Sequence, residues 1–275
     1  MNPVESTCAA IANKLASLPP FAPSVARLLG ISLDDVSALA AFEEVFKSDP
    51  ALTAELLKMA NSAAFGVRTR VQSIGVAIRY LGPERVRSMA ATSALRSQTQ
   101  RGQRHPYLAS LWAHGIATAA AAEALGAAHD CLGLYTLGLT HDLGRLGLFL
   151  VGGNLYATEL SQEFQDIEHA CEVERGLVGM THCQAGALVA TAWGFPEGLA
   201  ASMGEHHTAF VEGSHHPQDL IAIACRMADS LGFPEVPLLE PPGWPELGFS
   251  TESFPQLEPE ALWDQITRRI ADLSH

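Results

Sequence analysis

Charge is scarce in this chain. Only 17% of its 275 residues are Asp, Glu, Lys or Arg, against 48% hydrophobic residues. That ratio excludes a disordered or fibrous protein. A chain this long also buries enough apolar surface to fold without a disulfide or metal staple. Positive charge is the scarcer kind: seventeen Lys and Arg face thirty Asp and Glu, a net −13. This argues against a surface built as a whole for polyanions, because phosphate contacts need clustered positive charge, so nucleic acid is not expected as a partner. Cys8, Cys131, Cys171, Cys183 and Cys225 form no C-x-x-C pair and no even framework, which reads as reduced thiols in a cytoplasmic protein. Long hydrophobic runs are missing too. The most apolar stretches, Leu132–Leu139 and Leu143–Val151, are separated by His141 and Asp142 and interrupted by Arg145. Both fall short of the roughly 18–20 residues that span a bilayer. The N-terminus shows no basic region followed by an apolar run, so neither a signal peptide nor a membrane partner is expected.

β-Branched runs are scarce as well, while Ala and Leu dominate and apolar residues recur three and four apart. That pattern predicts an all-α fold. Ser48-Asp49-Pro50 is a helix start, a capping residue ahead of a Pro at the first helical position. The helix it opens is expected to stop near Gly66. A second covers Ile74–Leu81, and a third runs from Pro83 to about Ser97. The polar segment 101–106 reads as a hinge between two packed helical subdomains, about 15–100 and about 106–231. The second should hold helices near 108–126, 130–141, 155–175, 182–193, 196–206 and 217–231. Seven prolines between 233 and 260 predict an irregular strap over the surface within 232–275, closed by an amphipathic helix. No internal repeat or low-complexity segment is present.

Residues 67–104 hold eight arginines and the single acid Glu84. The segment carries +7 against −20 for the rest of the chain. It is either a solvated face paired with acids elsewhere or a docking patch for an acidic partner or a nucleotide.

The chain has eleven histidines, and their placement says more than their number. His141-Asp142 sits late in an apolar helix. Adjacent helical residues project about 100° apart, so both side chains can reach one ion at the helix edge. His114 and Asp229 each stand on an otherwise apolar helix, His182 opens another, and His206-His207 closes the next. Singly, each reads as a satisfied core or cap residue. Together they form a nitrogen and oxygen donor set without thiolate, suited to Mn, Fe, Zn or Mg. Such a metal lowers the pKa of bound water and stabilises charge on a phosphoryl oxygen. Asp142 and Arg145 are the candidate catalytic groups, Arg145 as a phosphate ligand.

Several motifs carry a family resemblance. They are L-P-P-F-A-P-S-V-A-R-L-L (18–29), S-D-P-A-L-T-A-E-L-L-K-M-A-N-S-A-A-F-G (48–66), S-I-G-V-A-I-R-Y-L-G (73–82), L-W-A-H-G (111–115), L-G-L-T-H-D-L-G-R-L (137–146), T-H-C-Q-A-G-A-L-V-A-T-A-W-G-F-P (181–196) and E-H-H (205–207). In this order they resemble the HDOD domain, the HD-related output domain of bacterial signalling proteins, over about residues 15–231. The resemblance implies kinship in fold with HD-type metal phosphohydrolases and HD-GYP cyclic-dinucleotide phosphodiesterases. It also implies a regulatory output module without demonstrated catalysis. The metal-ligand pattern of the superfamily carries over to His114, His141, Asp142 and Asp229, with His182, His206 and His207 as possible further ligands. Two departures stand out. The G-Y-P tripeptide is absent where this chain has R-L-G-L-F-L-V (145–151), and Arg145 replaces the usual Lys.

Three readings follow. The first is a non-enzymatic signalling output domain, acting on a regulatory partner downstream of a receiver or other sensor, like the output half of a two-component response regulator. The second is a metal-dependent phosphohydrolase or phosphodiesterase. The third is a nucleotide or nucleic-acid sensor using the arginine-rich segment 67–104.

Overall fold

The computed structural model describes residues 3–18, 23–33, 35–62, 70–101, 105–128, 131, 133–208, 214–244 and 257–273. Among them are fourteen α-helices. The N-terminal group is α1 (Pro3–Ala16), α2 (Pro23–Leu29), α3 (Ala38–Ser48), α4 (Pro50–Ala60), α5 (Ile74–Leu81) and α6 (Pro83–Arg101). Then come α7 (Pro106–Ala128), α8 (Leu134–Thr140), α9 (Leu143–Glu159), α10 (Ile167–Val178), α11 (His182–Ala192), α12 (Glu197–Glu205), α13 (Pro217–Ser230) and α14 (Pro259–Leu273). The fold is all-α. The extended pairing among the described residues is one isolated bridge, Phe164 with Leu238, and no described helix is long and apolar enough to cross a membrane.

The sequence signals explain the starts of these helices better than their ends. Asp49 caps α4 by accepting hydrogen bonds from the Ala51 and Leu52 amides at 3.1 and 3.0 Å. It also accepts from the Ser24 hydroxyl at 2.6 Å, which ties α2 to the α3–α4 corner. That helix ends at Ala60 rather than near Gly66, and residues 63–69 lie outside the described residues. α6 continues to Arg101, past the expected end at Ser97. Of the expected hinge, residues 102–104 lie outside the described residues, and Pro106 already opens α7.

The larger correction is at α9 and α10. One helix at 155–175 was the expectation, and two stand there, α9 and α10. α9 is buried on much of its circumference, so its sequence shows no polar stripe to mark it as a helix. Gly152-Gly153 disguises it further, and Gly153 does leave helical geometry (φ 63°, ψ −147°).

α7 is the axis of the second half. Its Ala119–Ala122 run is completely buried, because α8, α13 and α14 pack around it and alanine lets them come close. One continuous core joins Phe42 and Phe46 of α3, Val86 and Ala90 of α6, Ile116 of α7 and Val189 of α11. Each fully buried Phe there contributes about 1.5–3 kcal/mol.

Replacing Asp49 with Ala removes the α4 cap and the bond to Ser24, and should cost about 1–2 kcal/mol in urea unfolding. The Ser24 hydroxyl, then the Leu52 amide, hold the Asp49 carboxyl below its ordinary range. The capped form's advantage is therefore full above the ordinary carboxylate pKa and fades as pH falls through the lowered value. The difference between wild type and Asp49→Ala should shrink in acid. A difference that persists unchanged at low pH would exclude the carboxylate as its source.

Candidate functional site

His141 and Asp142 do not lie inside a helix as expected. His141 ends α8 with helical φ/ψ, and Asp142 begins α9 at φ −105°, ψ 22°, its side chain making no cap bond. The break turns the two side chains to different neighbours. His141 faces His114 of α7, Nε2 to Nε2 at 3.1 Å. Asp142 groups instead with His182, His206 and Glu235.

Two backbone features make this convergence possible. α9 touches α11 at Gly144, where a Cβ would stand 1.9 Å from the His182 carbonyl oxygen and 2.6 Å from the Gly186 nitrogen. Only glycine allows that approach, and it sets His182 beside Asp142. After α13 the chain reverses through Gly232 at φ +87°. The Gly232 amide donates to the Asp229 carbonyl at 3.1 Å and the Phe233 amide to the Ala228 carbonyl at 2.9 Å, the paired bonds of a left-handed helix terminus. This turn carries the strap into the site, so the strap is not confined to the surface. Glu235 and Val236 are buried. Residues 245–256 of the strap lie outside the described residues.

Four imidazoles are fixed in the same sense. Nδ1 of His114 donates to the Phe233 carbonyl at 2.8 Å, that of His141 to Gly138 at 2.6 Å and that of His206 to Met203 at 3.1 Å. His182 Nδ1 donates to the Glu174 carboxylate at 2.7 Å. Carbonyls and carboxylates only accept, so each Nδ1 carries the proton. Burial lowers the pKa of all four, to about 4 for His114 and well below the ordinary histidine value for His141 and His206. Each ring is therefore neutral, with a lone pair on Nε2. The lone pairs of His114 and His141 face each other across 3.1 Å with no proton left to share, which favours a cation between them. A ring held by its other nitrogen is also how proteins orient metal-binding histidines.

The carboxylates make the same case. Both oxygens of Asp142 are shielded from water without a hydrogen-bond partner, as is Oε1 of Glu235. Burial pushes the Asp142 carboxyl well up, and the same cause raises Asp229. Asp142, Glu174, Asp229 and Glu235 share this enclosed space with one guanidinium, Arg145. Unbalanced buried negative charge is costly, and one divalent cation would offset it. The donor set of imidazole nitrogens and carboxylate oxygens fits Mn, Fe or Zn.

Arg145, the expected phosphate ligand, is turned to the protein's own carboxylates. It is fully buried and binds Glu174 at 2.9 Å, Glu235 at 3.1 Å and Asp142 at 3.2 Å. Its charge is already matched by the protein. Asp229 belongs to no candidate ligand group among the described residues. It accepts from the Glu235 amide at 3.1 Å and lies 3.7 Å from Nδ1 of His114, so it positions the strap and that ring.

The site contains residues the sequence did not announce. Glu174 accepts from Arg145, from Tyr156 at 2.7 Å and from both the amide and the ring of His182. It lies on the buried stripe of α10 with Ala170, Cys171 and Val178, and a carboxylate on an apolar stripe is a readable signal. Glu235 Oε2 accepts from Arg145 and stands 3.1 Å from His207 Nε2. Burial pushes its carboxyl up, and His207 and Arg145 more than reverse this, leaving it well below its usual value. Cys225 lies 3.6 Å from His114 Nε2 and Cys183 3.5 Å from His182 Nε2. Burial raises both thiols, so they stand as protonated neighbours. Most of the cluster is buried; Cys183 and His207 are partly exposed, His207 with 21% of its side chain open to solvent.

The family model for the HDOD domain matches residues 18–209. The chain belongs to the HDOD domain family. A crystal structure of an HDOD domain protein of unknown function from Geobacter sulfurreducens superposes with a TM-score of 0.65 at 22% identity, covering 98% of this chain and 96% of that one. A provisionally assigned phosphohydrolase from Shewanella amazonensis gives 0.62 at 22% identity over 95% and 94%. A provisionally assigned signal transduction protein from Marinobacter aquaeolei gives 0.65 at 20% identity over 98% and 64%. At these identities the likeness is one of fold. An uncharacterised protein from Treponema pallidum is 28% identical over 186 residues, and this HDOD chain spans about a third of that relative's length (34%).

Replacing Gly144 with Ala should wedge α9 from α11 and cost about 3 kcal/mol, since overpacking against backbone has little room to relax. Urea unfolding measures it. A loss below about 0.5 kcal/mol, the range of a neutral surface change, would mean that the two helices are not held at this contact.

Proposed function

We propose that this HDOD chain is a regulatory output module of bacterial signal transduction, non-enzymatic and acting through protein or ligand contacts downstream of a sensor or receiver domain. The observation that carries this reading is Glu235. The chain's own carboxylate occupies the space between Arg145, His182 and His207, where a phosphate would have to sit, and the strap seals it there. A module with this construction transmits a change of packing and turns nothing over. Five free cysteines among the described residues suit a cytoplasmic location.

In this reading the cluster holds a divalent metal as a structural cross-link. His114 and His141 would hold it through Nε2, or Asp142, His182, His206 and Glu235 would. Asp229 keeps its positioning role. The provisionally assigned signal transduction protein of the same fold is in keeping with such a role.

The inward-facing Nε2 atoms and the Asp142 carboxylate, which accepts no hydrogen bond, favour a second reading, a metal-dependent phosphohydrolase or phosphodiesterase; the Shewanella relative is provisionally assigned as a phosphohydrolase. A bound metal would supply a water of lowered pKa and polarise a phosphoryl oxygen. The chain's own part would be to withdraw Glu235, freeing Arg145 and His207 for the phosphate.

Metal content by plasma mass spectrometry, on protein purified without an affinity tag or chelator, tests the shared premise. We expect near-stoichiometric Fe, Mn or Zn, lost in His141→Ala and Asp142→Ala, together with no hydrolysis of bis-p-nitrophenyl phosphate. Metal-dependent turnover that disappears in both variants would overturn the output reading in favour of the enzyme. Absence of metal after soaking with Mn and Fe would leave the cluster as a hydrogen-bonded core.

A further inference from the structure

The donor set read from the sequence holds no thiolate, yet thiols stand against the imidazoles. Cys225 Sγ lies 3.6 Å from His114 Nε2, and Cys183 Sγ lies 3.5 Å from His182 Nε2. The first thiol meets two lone pairs already in place. His114 and His141 face each other through Nε2 at 3.1 Å, and each spends its Nδ1 proton on a backbone carbonyl. His114, His141 and Cys225 are all buried, and their donor atoms lie within 4.8 Å of one another.

The spacing has the size of a zinc site. Tetrahedral zinc, about 2.3 Å from sulfur and about 2.0–2.1 Å from nitrogen, sets two nitrogens about 3.3 Å apart and nitrogen and sulfur about 3.6 Å apart. The two pairs here stand at 3.1 and 3.6 Å. Asp229, the ligand implied by the family resemblance, is on the other side of the ring. It lies 3.7 Å from Nδ1 of His114, the nitrogen bonded to Phe233, and it accepts from the Glu235 amide. Cys225, one turn earlier on α13, stands at Nε2 instead. The rival partner of that Nε2 is the Thr118 hydroxyl at 3.4 Å, near the outer limit of a hydrogen bond. Cys183 is placed less well. Its Sγ is 4.0 Å from both ring nitrogens of His206, so it lies along neither lone pair, and it is partly exposed.

We propose that Cys225, not Asp229, is the third protein ligand of a zinc ion held by His114 and His141. The proposal rests on the metal-bearing reading above and changes its ligand set. On binding, the Cys225 S–H bond breaks, the proton passes to solvent and a sulfur–zinc bond forms. A thiolate with two imidazoles selects zinc over manganese or magnesium, and the excess of buried carboxylates favours a divalent ion over cuprous copper. The three ligands come from α7, the end of α8 and α13, so the ion ties those helices together.

The full chain, stripped of metal by chelator, is loaded with Co2+ as a spectroscopic stand-in for zinc. We expect a near-ultraviolet sulfur-to-cobalt charge-transfer band that zinc displaces. Cys225→Ser and His141→Ala should each remove it. Competition with a chromophoric chelator should show zinc bound at least about a hundredfold more weakly by Cys225→Ser, beyond what loss of a supporting residue costs. Asp229→Asn, which keeps an oxygen for the Glu235 amide, and Cys183→Ser should keep the band. Zinc K-edge X-ray absorption of the wild type, with one sulfur expected at about 2.3 Å, decides the matter should a variant fail to fold by circular dichroism. Zinc bound through nitrogen and oxygen alone would overturn this ligand set and leave the metal reading standing. So would a band that survives Cys225→Ser or His141→Ala, or one lost in folded Asp229→Asn or Cys183→Ser. Failure to bind either zinc or cobalt would overturn both.

Discussion

A guanidinium with no access to water is stable only when charge meets its donors, and Arg145 is such a group. It is completely buried and paired with Asp142, Glu174 and Glu235. Those partners come from the start of α9, the middle of α10 and the strap after α13, so one side chain fixes the relation of three chain segments. Its partners carry the order outward. Glu174 takes the Tyr156 hydroxyl and both the amide and ring of His182, and burial's upward push on it is reversed by His182 and Arg145 to about 2. Glu235 takes His207. His182 and His207 are held by Glu174 and Glu235, and those carboxylates hold because Arg145 does. Removing one member of such a buried pair leaves an uncompensated charge, at about 3–5 kcal/mol.

Arg145 does not balance the site alone. Four carboxylates share the enclosure with it, and the two that burial pushes up, Asp142 and Asp229, are those least served by hydrogen bonds from other side chains. Asp142, 3.2 Å from the guanidinium but accepting no hydrogen bond, stands beside the His182 and His206 imidazoles. The structure thus divides its acids into two kinds. Glu174 and Glu235 hydrogen-bond the guanidinium, while Asp142 meets it at 3.2 Å without a hydrogen bond and groups with His182, His206 and Glu235, apart from the facing pair His114 and His141. That division makes a cation the natural completion of the cluster.

Much of this was legible in the sequence, and the exceptions have physical reasons. Proline at a first helical position marks α4 and α6 because it removes a donor the helix does not use there. The histidines stand out because an imidazole on an alanine-rich helix is costly unless it is engaged. α9 was hidden because its first half, Leu143–Leu148, is buried on every face and has no amphipathic stripe, and Gly153 interrupts the rest. The split of His141 from Asp142 was hidden because it depends on a helix break between two adjacent polar residues, which the flanking apolar pattern does not mark. Glu174 was half-visible on its stripe. Glu235 was not visible at all: in a proline-rich segment it reads as solvated, and only the reversal at Gly232 turns it inward.

Glu235 also decides how far the enzyme reading can be taken for the closed form. Opening the cluster to a phosphate requires withdrawing that carboxylate, which strips Arg145 and His207 of a partner in a buried setting. At about 3–5 kcal/mol for breaking a buried ion pair, and 1.4 kcal/mol per factor of ten, the open form would be populated at roughly one part in a hundred to a few thousand. An anionic ligand could replace Glu235 and recover that energy, but only by meeting the same guanidinium and imidazole while also displacing the strap from its bridge to Phe164. A domain so arranged favours its closed packing strongly and yields it only to a competing contact. That property suits a switch read by another molecule better than a site that must open at every turnover.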